Sequence, residues 1–169
     1  PVVFMFSIAA KWLPSSNLQN QFTHLLEPSP PAFDGLKGAK NYLKIDTPKF
    51  DWKSTIQLEG SDETYIVKNL PTDTHLSLIV RCVSREEKEK AMAKYKELVE
   101  QVKGCSFACC EMVSFEGKTD DAVYTEWQPK PGCKTEKKYA GMVLMVRMVD
   151  HAFGADFQFY STGIIVFKR

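Results

Sequence analysis

A chain of 169 residues with 22 basic and 21 acidic side chains and a formal charge of +1 is most simply one domain, long enough to bury about two thirds of its unfolded surface without covalent staples. With no global excess of positive charge, nothing draws the chain as a whole to phosphate backbones or anionic lipid, so nucleic acid is not an expected partner. No apolar run approaches the roughly twenty residues of a membrane-crossing helix, and no membrane span is expected.

Pro1 to Ala10 is an apolar run that ends in the small residues Ser7, Ala9 and Ala10. Two readings stand. Val2 to Ile8, rich in Val, Phe and Ile, suits a buried first strand; the same run resembles the remnant of a secretory signal without its charged start, which would place the protein outside the cytoplasm.

Ser16, with Gln19 three residues on, caps a helix over about 16–27 whose Leu18, Phe22, Leu25 and Leu26 share one side; Pro28, Pro30 and Pro31 then forbid continuation. A Pro/Gly-rich internal loop covers 28–38. Trp52, Ser54, Ile56 and Leu58 alternate with Lys53, Thr55, Gln57 and Glu59, the period of a strand with one face in water. Gly60 to Asp62 makes a turn, and Thr64 to Lys68 and Leu76 to Val83 continue as strands.

The strongest local pattern lies between Ser84 and Gly104. Ser84 stands three residues before Glu87 as a capping box, Glu86 and Glu87 sit near the helix start, Lys103 in the last turn, and Gly104 offers a left-handed stop. Ala91, Tyr95, Leu98, Val99 and Val102 recur at steps of three and four, and lysines and glutamates fill the other positions. The spacing predicts an amphipathic helix over about 85–103 with one buried face.

Four strands follow: Phe107 to Phe115, Ala122 to Trp127, Tyr139 to Val149 and Asp156 to Lys168, separated by Gly117, by the Pro129 to Gly132 turn and by Asp150 to Gly154. Tyr139 to Val149 is apolar on both faces, so it should be central and covered on both sides. Arg147 is its exception. It reads either as a strand-end side chain reaching solvent or an acid, or as an anion hook in a cavity.

The two halves thus share an order of helix then antiparallel strands. The expected fold is α+β, a single domain over 1–169: a curved, mainly antiparallel sheet of about seven or eight strands with two helices, about 16–27 and 85–103, packed on one face.

Five cysteines, Cys82, Cys105, Cys109, Cys110 and Cys133, leave at least one thiol over from any intrachain pairing. Zinc would need Cys105, Cys109, Cys110 and Cys133 together, but strand alternation aims Cys109 and Cys110 at opposite faces, and no metal site is expected. In an exported protein Cys105 and Cys133 would be the disulfide pair. His24, His75 and His151 show no metal-binding spacing; no HExxH, GxSxG or Gly-rich phosphate loop occurs, and neither catalytic residues nor a cofactor are assigned. Asp120 and Asp121 fall short of a calcium loop. Adjacent Asp150 and His151 do not make an acid–base pair on sequence grounds alone.

Aromatic residues are plentiful, and alternation splits Phe157 and Phe159 from Tyr160, so one set lies outside the main core. Phe157 and Phe159 with Trp127, Tyr124, Met142, Met145 and Arg147 form the candidate ligand-binding set; the aromatics read either as the lining of a ligand cavity or protein-contact patch, or as a second small core under the Pro-rich loop. Three functions remain open. The first is a non-enzymatic binding or protein-interaction domain. The second is a carrier of a small apolar ligand in a cavity between sheet and helix. The third is an enzyme with a spatially assembled Cys/His site.

Overall fold

The computed structural model describes residues 33–40, 51–68, 76–105, 111–132, 140–152 and 158–168. In chain order these form a 3₁₀ turn Asp34–Leu36, then β1 Lys37–Lys40, β2 Trp52–Ser54, β3 Glu63–Lys68 and β4 Leu76–Glu86. Helix α1, Lys88–Lys103, leads to β5 Met112–Lys118, β6 Ala122–Pro129, β7 Met142–Ala152 and β8 Gln158–Lys168. All eight strands join one antiparallel sheet, so the α+β class holds, with α1 the one α-helix among the described residues. The expected strand at 2–8 and helix at 16–27 lie outside the described residues.

The strand order is β1-β2-β3-β4-β8-β7-β6-β5. Among the described residues each half of the chain contributes a four-stranded meander, and the last strands of the two meanders, β4 and β8, pair antiparallel at the centre. Half a turn about an axis normal to the sheet carries one strand order onto the other. The strand part of the repeat read from element order therefore exists as topology, while the helix expected in the first half lies outside the described residues.

Alternation along the strands gives the sheet two unlike faces. Leu78, Val80 and Cys82 of β4, Leu144 and Val146 of β7, Ile164 and Val166 of β8 and Trp127 of β6 are buried in one core with Leu98, Val99 and Val102 of α1. Each fully buried Leu or Val there contributes roughly 1.5–3 kcal/mol before entropy is counted. Two polar contacts fix how the helix lies: the Thr162 hydroxyl donates to the Ala91 carbonyl at 2.8 Å, and the Tyr95 and Thr125 hydroxyls share a bond at 2.7 Å. Helix α1 packs on this face over β4, β7 and β8; the opposite face, on which no described helix packs, is the open face.

Several boundaries depart from the sequence expectation. The helix begins at Lys88 with Glu87 as its N-cap and no side-chain cap bond, because β4 runs on to Glu86, which pairs with Tyr160. Ser84 is thus a strand residue, its hydroxyl 3.3 Å from the Asp62 carboxylate; ladder pairing displaces the capping box. Gly104 is right-handed, at φ −74°, and closes the helix by donating to the Glu100 carbonyl.

The strand expected through Leu58 stops at Ser54. Beyond it the Ser54 hydroxyl accepts from the Ile56 N–H, Gln57 donates to the Ser61 carbonyl, and the Ser61 hydroxyl donates to the Leu58 carbonyl. Such local bonds compete with a ladder and win here. Conversely, the described end of the Pro/Gly-rich 28–38 loop becomes the 3₁₀ turn and edge strand β1, where Gly38 lets the backbone approach the Lys53 carbonyl. Strand β7 is interior as expected, but it is covered on one face only along part of its length. Val143 is buried on the open face, whereas Met145 and Val149 are half-buried and Arg147 is exposed.

Candidate functional site

The open face carries a cleft of about 860 Å³ lined by Tyr65, Ile79, Arg81, Ser84, Arg85, Arg147, Val149, His151, Phe159, Ser161, Gly163 and Ile165, with Val80 and Thr162 contributing at its floor. Register explains how residues so distant in sequence meet. Arg81 pairs with Glu63 on one side and Gly163 on the other, Gly163 with Arg147, Arg147 with Tyr124, and Tyr124 with Gly117. One cross-strand row thus reads Glu63, Arg81, Gly163, Arg147, Tyr124, Gly117. The row beside it reads Tyr65, Ile79, Ile165, Met145, Glu126, Phe115.

Strand β4 is irregular where it borders the cleft. From Arg81 to Glu86 it advances five residues while β8 retreats only from Gly163 to Tyr160, so β4 carries two extra residues, one on each side of Val83. Bulges re-aim side chains, and here they bring Arg81, Ser84 and Arg85 to the same wall. Arg85 takes φ +59°, a left-handed conformation that costs a non-glycine residue roughly 1–2 kcal/mol.

The arginines are held differently. Arg81 is pinned: its guanidinium meets the Glu63 carboxylate at 3.0 Å, donates to the Tyr65 hydroxyl at 3.0 Å and lies 5.3 Å from the centre of the Tyr65 ring. Arg147 and Arg85 make no ion pair with any described residue. Although Arg147 is exposed as a residue, partial desolvation of its guanidinium against the cleft walls pulls its pKa below the ordinary value, with Tyr65 and Asp121 acting the other way; the group stays cationic at neutral pH.

His151 stacks on Phe159, ring centres 4.7 Å apart, and its Nε2 lies 2.8 Å from the Ser161 hydroxyl. Desolvation first, then the charges of Arg147 and Arg81, hold its pKa below the usual imidazole value. The imidazole is neutral at pH 7. Asp150, its sequence neighbour, points elsewhere: both carboxylate oxygens accept from Gln158 at 2.8 Å.

The residues singled out from sequence divide between the faces. Arg147 and Phe159 line the cleft, and Tyr124 and Met145 lie on the same face in the rows just described. Trp127 and Met142 are 4% and 1% exposed in the helix-side core, so the structure does not bring them to the others. Phe157 and Cys133 lie outside the described residues, and with Cys133 the suggested disulfide to Cys105. The Cys105 thiol lies 3.3 Å from the Gln101 carbonyl, and Cys82 is buried beneath α1, where desolvation pushes its pKa up to about 12. Among the described residues the thiols and His151 are on opposite sides of the sheet, and no group of three His, Cys, Asp or Glu side chains could hold a metal ion.

Sequence reading passed over Arg81, Arg85, Ser161 and the surroundings of His151. One signal was available: the chain has only four arginines against eighteen lysines, and two of those arginines, Arg81 and Arg147, interrupt apolar strands. No described helix is long and apolar enough to cross a membrane. Comparison with protein-family models, curated proteins and solved structures finds no significant match.

Proposed function

We propose that the protein is a non-enzymatic binding domain that holds a small, partly apolar ligand in the cleft on the open face of the sheet. The observation that carries this reading is the cleft itself, about 860 Å³ with Tyr65, Ile79, Ile165, Val149 and Phe159 beside a few convergent polar groups. That mixture on a rigid scaffold is the usual make-up of a ligand site. Among the described residues the helix side is packed core, with Leu78, Val80, Leu144, Val146, Ile164 and Val166 all fully buried there. The proposed ligand sits on the open face, where the described cleft lies, instead of between sheet and helix.

A neutral fluorescent probe, N-phenyl-1-naphthylamine, tests the reading. Its emission should rise saturably at one probe per chain, and the rise should weaken in Ser161→Trp, whose indole would project into the cleft. No saturable rise, or an equal rise in a folded Ser161→Trp protein, would refute it.

A hydrolytic reading has one observation behind it, the 2.8 Å contact of His151 Nε2 with the Ser161 hydroxyl. It lacks two parts. No described carboxylate orients the His151 ring through a hydrogen bond, and the paired strands β7 and β8 engage their backbone N–H groups in the ladder rather than presenting them to an oxyanion. Labelling of Ser161 by a fluorophosphonate would favour this second reading.

A further inference from the structure

Three of the chain's four arginines line one cleft, whereas none of the described lysines, aspartates or glutamates does. The fourth, Arg169, lies outside the described residues. In a protein of formal charge +1, this is a local concentration of positive charge with no counterpart in the overall balance. The segregation is also chemical. Lysine would serve if solubility or charge alone mattered; a planar, forked guanidinium suits bidentate recognition of a carboxylate or phosphate.

The geometry specifies where such a group would sit. Arg81 and Arg147 are the two cross-strand neighbours of Gly163, so their backbones stand two strand spacings apart, about 9.6 Å, with no side chain on the residue between them. Arg81 is held in place by Glu63 and Tyr65, while Arg147 has no carboxylate partner among the described residues. The neighbouring row presents Tyr65, Ile79 and Ile165, an apolar strip one side-chain repeat along the strands. Arg85, kept in a left-handed conformation by the irregular end of β4, adds to the wall a second cation without an ion-pair partner among the described residues. Backbone strain held beside a cleft is a common mark of a functional site.

Resting on the binding reading above, we infer that the ligand is an organic oxyanion with an apolar body. Its carboxylate or phosphate sits over Gly163 between Arg81 and Arg147, and its apolar part lies along Tyr65, Ile79 and Ile165. The oxygens accept hydrogen bonds from both guanidinium groups; Arg147 supplies the uncompensated charge and Arg81 the fixed geometry.

Isothermal titration of the full chain with octanoate, octyl phosphate and octanol, which share one tail and differ in the head, tests the inference. At least one of the two anions should bind tenfold or more tighter than octanol. In Arg147→Gln that preference should fall to within about threefold, with the loss falling on the anions more than on octanol, and Arg147→Lys should recover only part of it because the fork is lost. Arg147 is exposed, so these variants should keep the wild-type melting temperature. A preference for octyl phosphate over octanoate, or the reverse, identifies which oxyanion the site takes. Octanol binding as tightly as both anions, or anion preference surviving in Arg147→Gln, would overturn the inference and leave the cleft standing as a neutral ligand site. If the neutral naphthylamine probe binds but none of the octyl series does, the inference fails alone; if neither the probe nor the series binds, the binding reading falls with it.

Discussion

Gly163 is the residue on which both the central strand pair and the arginine row converge, and replacing it with alanine should be costly. A Cβ built there would lie 2.4 Å from the Val80 carbonyl oxygen and 3.4 Å from the Arg81 Cα. Carbon and a carbonyl oxygen approach favourably to about 3.3 Å, so the strands would have to part by about 0.9 Å. Both obstacles are backbone in the central β4–β8 pair, which no rotamer change can relieve. Displacing them weakens adjoining ladder bonds, each worth about 1 kcal/mol net, and disturbs a core whose Val80 and Ile164 are fully buried. The expected loss is about 2–4 kcal/mol against a typical total of 5–15. Urea unfolding should show a lower midpoint with an unchanged slope. Gly132→Ala is the control: its φ is +82° with no described residue within 4 Å of the added carbon, so conformational strain dominates, about 1–2 kcal/mol. A Gly163→Ala loss no larger than that of Gly132→Ala would refute the reasoning.

Two valine substitutions should have opposite signs: Thr162→Val removes the donor to the Ala91 carbonyl and should cost about 1–2 kcal/mol, while Thr64→Val removes a buried hydroxyl that has no partner among the described residues and should be neutral or stabilising by up to about 1 kcal/mol, both read from urea midpoints. Cys82, with its pKa pushed up to about 12, should resist iodoacetamide at pH 8 in the native protein and react in urea, as mass spectrometry would show. Because the folded thiol ionises later than the unfolded one, its contribution to stability is complete below about pH 8.5 and is lost as pH rises through that value towards the folded pKa. His151 carries the opposite sign of shift. Its folded pKa is depressed, chiefly by desolvation and then by Arg147 and Arg81, with Asp150 and Asp121 opposing and Ser161 and Phe159 packed against the ring. Its stabilising contribution is therefore complete above about pH 6.5 and is lost as pH falls from there to the folded pKa. An NMR titration should place the His151 midpoint below 6.5 and move it upward in Arg147→Ala; an unmoved midpoint would show that the two charges do not sense each other.

The helix stripe was legible because burial follows a local period: Ala91, Leu98, Val99 and Val102 are buried as their spacing requires. Its first turn was not, since the fate of Ser84 to Glu86 depends on Tyr160, some seventy residues away. The strands β3, β4, β6, β7 and β8 were located to within a few residues, whereas β1 is a short edge element whose Lys-Gly-Ala-Lys sequence carries no apolar alternation. The cleft was the least legible feature. Arg81, Gly163 and Arg147 become neighbours only through the register of β4, β8 and β7, which no single strand encodes. Arg147 stood out as an anomaly in an apolar strand, but its companions could be recognised only once the pairing was known.

The central pairing of β4 with β8 also constrains how the molecule can be made. Each meander keeps its final strand as the seam to the other, so the first half leaves β4 with a bare hydrogen-bonding edge until Gln158–Lys168 arrives. During synthesis that apolar edge, Leu78 to Val83, has no native mate while some seventy further residues are being added, a high-contact-order arrangement that folds slowly and exposes the intermediate to aggregation. A ribosome-bound chain halted before residue 158 should be protease-sensitive throughout, acquiring resistance in both halves at once when the last strand emerges.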